Sequence, residues 1–130
     1  MNAKFFLVSG IVGGIVDYLL GWLFYGIIFK DQFPVTGEMN LVMIALGSLT
    51  LGLFISYIFV KWAQISTWQT GLQAGAIIGL FLAFYYDFFA SAMKATTDIN
   101  WQMMGLDIIL TIIMSALVGA TIALVNGKMK

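Results

Sequence analysis

Four apolar runs of about twenty residues or more, parted by short polar breaks, limit what this chain can fold into. They extend from Phe5 to Phe29, Met39 to Trp62, Gly71 to Met93 and Trp101 to Val125. A hydrocarbon layer of about 30 Å is crossed by about 20 helical residues, because a helix pairs every backbone N–H and C=O within its own segment. The runs predict an all-α integral membrane protein: four transmembrane helices in an antiparallel bundle with short loops, forming one domain over residues 1–130. Charge agrees with this reading. Only 9% of side chains are charged, whereas a soluble domain carries about a quarter.

The breaks KDQFPVTGEM, AQISTWQT and KATTDIN contain turn and capping chemistry. Pro34 lies in the first, Ser66 and Gln69 have the spacing of a capping box that would start the third helix, and Asn126-Gly127 predicts the end of the fourth. The first run is longer than the 7–15 apolar residues (about) of a signal core and lacks a small-residue cleavage site after it, so it is read as a true span. Four spans place Lys4, Lys61, Lys128 and Lys130 on one face, with Lys30 and Lys94 opposite. The positive-inside rule then predicts a multi-pass protein of a bacterial cytoplasmic membrane with both termini cytoplasmic; the narrow margin also admits dual topology.

Several function classes are excluded by what the chain lacks. Without cysteine there are no disulfides, thiolate metal sites or thiol catalysis, and without histidine there is no common haem ligand or neutral-pH proton relay. Six lysines balance six acids with no arginine, which leaves no basic field for nucleic acid or for an anionic lipid surface. The acids within the spans, lacking His, Cys or Arg beside them, make neither a metal set nor a nucleophile–base pair. The glycine-rich first span lacks the strand and lysine of a phosphate loop. No enzyme, cofactor or metal site is expected.

Lipid tails are as apolar as leucine, so membrane helices associate through close packing at small residues and through interhelical hydrogen bonds. At 100° per residue, Gly10, Gly14, Asp17 and Gly21 fall within a stripe about 60° wide on the first helix. Comparable stripes are Ala45, Ser48, Gly52 and Ser56 on the second, and Ala76, Gly79, Ala83, Asp87 and Ala90 on the third. On the fourth, Asp107, Thr111, Ser115 and Gly119 step by four. The glycines Gly10, Gly14, Gly21, Gly52, Gly79 and Gly119 are thus expected at helix contacts. Each span acid shares a seam with them.

A carboxylate at a helix centre opposes insertion by about 2.5 to 3.5 kcal/mol, so it calls for a partner or a proton. Asp17 lies twelve residues before Phe29, about 18 Å down and near the midplane; Asp87 and Asp107 each lie six residues, about 9 Å, inside their helix ends. If the seams face one another, Asp17, Asp87 and Asp107 mark a route from one surface toward the centre. Asp17 has no lysine within reach on its own helix, which makes it the first choice for a carboxyl that exchanges a proton. Tyr18, Tyr25, Tyr57, Tyr85 and Tyr86 can donate to a carboxylate or accept from a protonated one, with Thr111 and Ser115 as further polar support. For the tyrosines, an aromatic belt at the membrane surface is the competing role, and Tyr25 with the Trp residues near helix ends fits that role well.

The order GWLFYGIIFKDQF, followed by ISTWQTGLQAGAIIG, resembles the short bacterial four-helix membrane proteins grouped as domain of unknown function 1761. The resemblance covers nearly the whole chain in length and helix order and is most specific at Gly21-Trp22-x-x-Tyr25-Gly26-x-x-Phe29. That family typically shows a Trp-Tyr pair followed by Phe, where this chain has Phe24-Tyr25. The resemblance implies a fold and no activity. In placement, Asp17 also resembles the membrane acid of the small multidrug-resistance exporters, although theirs is a glutamate. The helix-two Asn pattern and helix-one Arg of the fluoride channels are not found here.

Two functions follow from the residues. One is a small oligomeric transporter or channel-like protein in which a membrane-embedded carboxylate handles protons or cations. The alternative is a non-transporting structural or accessory subunit whose acids only lock helices together. A chain this short has little interior volume, so its expected partners are the lipid bilayer and further copies of itself, as a dimer or larger homo-oligomer.

Overall fold

The computed structural model describes residues 3–28, 41–92 and 101–129. Phe29, Lys30, Pro34, Met39, Met93, Lys94 and Lys130, which figured in the expected helix ends, loops and charge balance, lie outside the described residues. Helix α1 spans Ala3–Leu23 and continues as a π-turn, Phe24–Ile28. Helix α2 spans Leu41–Tyr57 and continues likewise through Ile58–Ala63. Helices α3, Trp68–Ala92, and α4, Trp101–Met129, are unbroken. All four are long and apolar enough to cross a membrane, with spans of 26, 22, 23 and 29 residues.

The ends of two helices differ from the local sequence signals. The α2 π-turn stops at Gln64, whose backbone adopts φ 50° and ψ 46°, and the N–H groups of Gln64 and Ile65 both donate to the Phe59 carbonyl. That is a left-handed cap, usually given to glycine because a Cβ is disfavoured there. Helix α3 then begins one residue later than the expected Ser66–Gln69 box. Gly71 N–H donates to the Thr67 carbonyl at 2.9 Å, and the Thr67 hydroxyl donates to that of Thr70 at 2.9 Å. The expected stop at Asn126-Gly127 is also corrected, because α4 runs through both residues. A Cβ at Gly127 would come within 2.5 Å of the Ser66 carbonyl oxygen. That glycine serves a close tertiary approach and does not end the helix.

The helices form a row, α2–α1–α4–α3, with a lighter contact between α2 and α4. Helix α3 leans almost wholly on α4. On the α1–α2 seam, Gly10 faces Leu53 and Ser56, while Gly14 faces Leu49 and Ser48. On the α3–α4 seam, Gly71 faces Ala123 and Gly119, Gly75 faces Ser115, and Gly79 faces Ser115 and Thr111. In both pairs the numbering rises on one helix as it falls on the other. A Cβ on Gly52 would strike the Gly10 carbonyl and Gly14 N–H, and one on Gly75 the Ser115 carbonyl. These contacts are backbone against backbone, which only glycine permits.

Small and polar residues face inward while large apolar ones face out. Gly71, Gly75, Gly79, Ala83 and Asp87 make a buried column on α3, whereas Phe81, Tyr85 and Phe89 on the same helix are more than 60% exposed. The main apolar cluster is where Ile55 and Phe59 meet Val118, Ile122 and Ala123; Ala83, Ile108, Leu110 and Met114 are buried outside it. Val16 and Leu20 of α1, with Ala74 and Ile78 of α3, pack around it. Such a distribution suits a solvent of lipid, in which burying a leucine gains little and close backbone contact gains more.

Candidate functional site

Helix α3 carries its small residues every fourth position, and Asp87 continues that column at its far end. Helix α4 carries Asp107, Thr111 and Ser115 at the same interval, so the side chains share one face. Because Gly79 already meets Ser115 and Thr111, the remaining turns lead toward Asp87 and Asp107. The third contributor comes from α1. Tyr25 lies in the π-turn, where i→i+5 bonding widens the coil and changes the face on which later side chains emerge.

Tyr25 Oη donates to Asp107 Oδ1 at 2.6 Å, across 82 residues of sequence. The Thr111 hydroxyl is within hydrogen-bonding reach of the same phenol, and Asp87 ends the buried column of α3 on the face that meets α4. Asp87 is buried, while Asp107, Thr111 and Tyr25 are half-buried. The site therefore holds two carboxylates and a phenol from three helices, among largely apolar residues. A short O–H···O bond to a carboxylate is stronger than a neutral one. A buried carboxyl such as Asp87 also calls for a proton, a cation or hydrogen-bond donors to offset its loss of water.

Asp17 belongs to a different place. It is half-buried on the α1–α2 seam with the Ser48 side chain in hydrogen-bonding reach. The acids thus divide into Asp17, on the α1–α2 seam, and Asp87 and Asp107, at the end of the α3–α4 seam, where Tyr25 meets Asp107. Farther along the α1–α2 seam, Ser9 Oγ and Ser56 Oγ are 2.8 Å apart; Ser9 Oγ lies 2.6 Å from the Phe5 carbonyl and Ser56 Oγ 2.8 Å from that of Phe6. Two hydroxyl protons serve these three contacts, so two are made at any instant.

The other expected residues have simpler surroundings. Tyr18 is half-buried and lines a shallow apolar groove beside Gly14 and Ala45. Tyr57 stacks edge-on with Phe6 at 5.8 Å and Trp62 at 5.4 Å, as a belt residue would. Tyr86 and Tyr85 are 68% and 67% exposed. Ser115 is buried against Gly79, and its Oγ has no hydrogen-bond partner among the described residues. Gly21 makes only ordinary contact with Met114, at 3.6 Å from the position a Cβ would take. Ala45 of the expected α2 stripe is exposed. Among the described residues, no three acids converge to hold a metal.

The sequence reading missed Gly13, which meets Ile122 and Val118, the Ser9 hydroxyl, and the pair Gly71 and Gly75. The four-residue step that runs from Gly71 to Asp87 would have identified the last pair. It also missed Asn126, read as part of a helix stop and found 97% buried on the inner face of α4. No protein-family model, curated protein or solved structure matches the chain.

Proposed function

We propose that the chain is a multi-pass membrane protein, its helices crossing the bilayer antiparallel, and that it acts as a small transporter or channel-like protein for protons or cations. The observation that carries this reading is the Tyr25 hydroxyl bond to Asp107, at the end of the α3–α4 seam that also carries the buried Asp87, between helices otherwise suited to lipid. Intramembrane ionisable groups are costly, and when they face a bundle interior they mark ion or proton routes. In this proposal Asp107 and Asp87 handle the ion and Tyr25 positions Asp107. Asp17 is a separate station on the α1–α2 seam. Enzymatic chemistry is not part of the proposal. The open row leaves α3 supported on one side, so we further propose a homo-oligomer in which another copy completes the path, with termini on the cytoplasmic side of the inner membrane. Membership of the four-helix family it resembles is compatible with this proposal and adds no activity.

Asp107→Asn, reconstituted in liposomes loaded with a pH- or cation-sensitive dye, is expected to lower flux at least tenfold. Flux equal to wild type would end the proposal for this site. A second reading is favoured by the Asp17–Ser48 contact, since a carboxylate matched to a hydroxyl across a seam is also a helix lock. Under that reading Asp17→Asn keeps the assembly and Asp17→Leu loosens it, as read by native mass spectrometry of protein extracted in mild detergent. Equal effects of the two substitutions would remove the lock.

A further inference from the structure

At the opposite end from the Tyr25 site, the start of α1, the turn after α2 and the end of α4 border an open cavity of about 170 Å³. Its walls are largely apolar, from Phe5, Phe59, Val60 and Ile65, and the left-handed Gln64 forms part of its edge. Asn126 lines it as well. The Asn126 residue is 3% exposed, and neither Oδ1 nor Nδ2 has a hydrogen-bond partner among the described residues. A primary amide presents two donor hydrogens and an acceptor oxygen, and burying all of them unmatched is unusual. What satisfies Asn126 must therefore both donate and accept. The cavity exceeds the room a single water requires.

Charge narrows the choice. Lys4, Lys61 and Lys128 are exposed, and each lies within two residues of a side chain that lines the cavity. The acids among the described residues, Asp17, Asp87 and Asp107, lie at the middle or the far end of their helices. Trp62, 68% exposed beside this end, has the placement of a membrane-interface residue. A hydroxyl next to a phosphate matches this end of the molecule: the hydroxyl would exchange hydrogen bonds with the amide, the phosphate would lie at the helix ends that carry the lysines, and an apolar stem would follow the Phe and Ile walls.

We propose that this cavity is a binding site for a phosphopolyol group, supplied either by the headgroup of an anionic glycerol lipid or by a free polyol phosphate, with Asn126 as the group that recognises the hydroxyl. It rests on the reading of the chain as membrane-spanning and is independent of transport. Flux through the Tyr25 site can fail without touching it.

The test measures the melting temperature of the full chain in detergent micelles after adding phosphatidylglycerol, phosphatidylcholine or glycerol 1-phosphate. The expected result is a rise of several degrees with phosphatidylglycerol over phosphatidylcholine, abolished in Asn126→Leu. A comparable rise with glycerol 1-phosphate would support the site and identify the free polyol phosphate as sufficient. Equal responses to both lipids with none to glycerol 1-phosphate would overturn the proposal, as would a full phosphatidylglycerol response in Asn126→Leu. Should that variant not fold, Val60→Trp, which obstructs the cavity but keeps the amide, decides the matter: the selective rise is expected to vanish, and its persistence would overturn the site.

Discussion

Along the α1–α2 seam the polar groups at the contact find partners on the two helices themselves: Ser9 with Ser56, Ser56 with the Phe6 carbonyl, and Asp17 with Ser48. The α3–α4 seam brings its backbones equally close, yet Ser115 Oγ stays unmatched there, and Asp107 is met by Tyr25 from α1. One pair is closed on itself, and the other is completed by a third helix. Glycine contact supplies proximity in both cases, and among the described residues the second seam leaves Ser115 Oγ unmatched. This difference is why the candidate site is placed at the end of α3–α4 and not at Asp17, which the sequence favours.

The strongest way to break the contrast is at the glycines. Gly75→Val puts a branched side chain against the Ser115 carbonyl and is expected to cost about 3 kcal/mol, because an overfilled contact between backbones has nowhere to relax. Since α3 rests almost wholly on α4, hydrogen exchange should rise along α3 alone. Gly52→Val should cost about as much, but α1 keeps its contact with α4, so exchange should rise chiefly in α2. Uniform exchange changes in both variants would show that the seams are not separate units.

Tyr25→Phe removes the donor to Asp107 and is expected to lower stability by about 1 to 2 kcal/mol in a detergent unfolding titration. Its flux should fall too if the phenol positions the carboxylate. Ser9→Ala should cost less, about 0.5 to 1 kcal/mol, because Ser56 can still donate to the Phe6 carbonyl. A larger loss for Ser9→Ala than for Tyr25→Phe would reverse the ranking of the two seams. The smallest effect is a gain: a Cβ at Gly47 meets nothing within 4 Å, so Gly47→Ala should stabilise α2 by about 0.5 to 1 kcal/mol, seen as a raised melting temperature.

Much of the site could be read from residue spacing. The step of four that sets Asp107, Thr111 and Ser115 on one face follows from helical periodicity, and so does the inward face of Asp87. Tyr25 reads from its place near a helix end as an aromatic-belt residue, because α-periodicity alone cannot locate a side chain within a π-turn. Asn126 was misread for a related reason. Asn-Gly is a stop signal in local terms, but the approach of the Ser66 carbonyl gives Gly127 another purpose and keeps α4 intact to Met129.

The sequence by itself determined four long apolar helices, the small-residue seams, and acids placed on those seams. Length, hydropathy and a 3.6-residue period are properties of each segment taken alone. Which helices lie side by side was decided only by the tertiary structure: α1 against α2 and α4, and α3 against α4, with Asp17 separated from Asp87 and Asp107, and Asn126 lining a cavity. The reason is physical. Every seam offers backbone contact of the same kind, so the choice among them depends on the fit between particular residues on two helices, and no single segment contains that information.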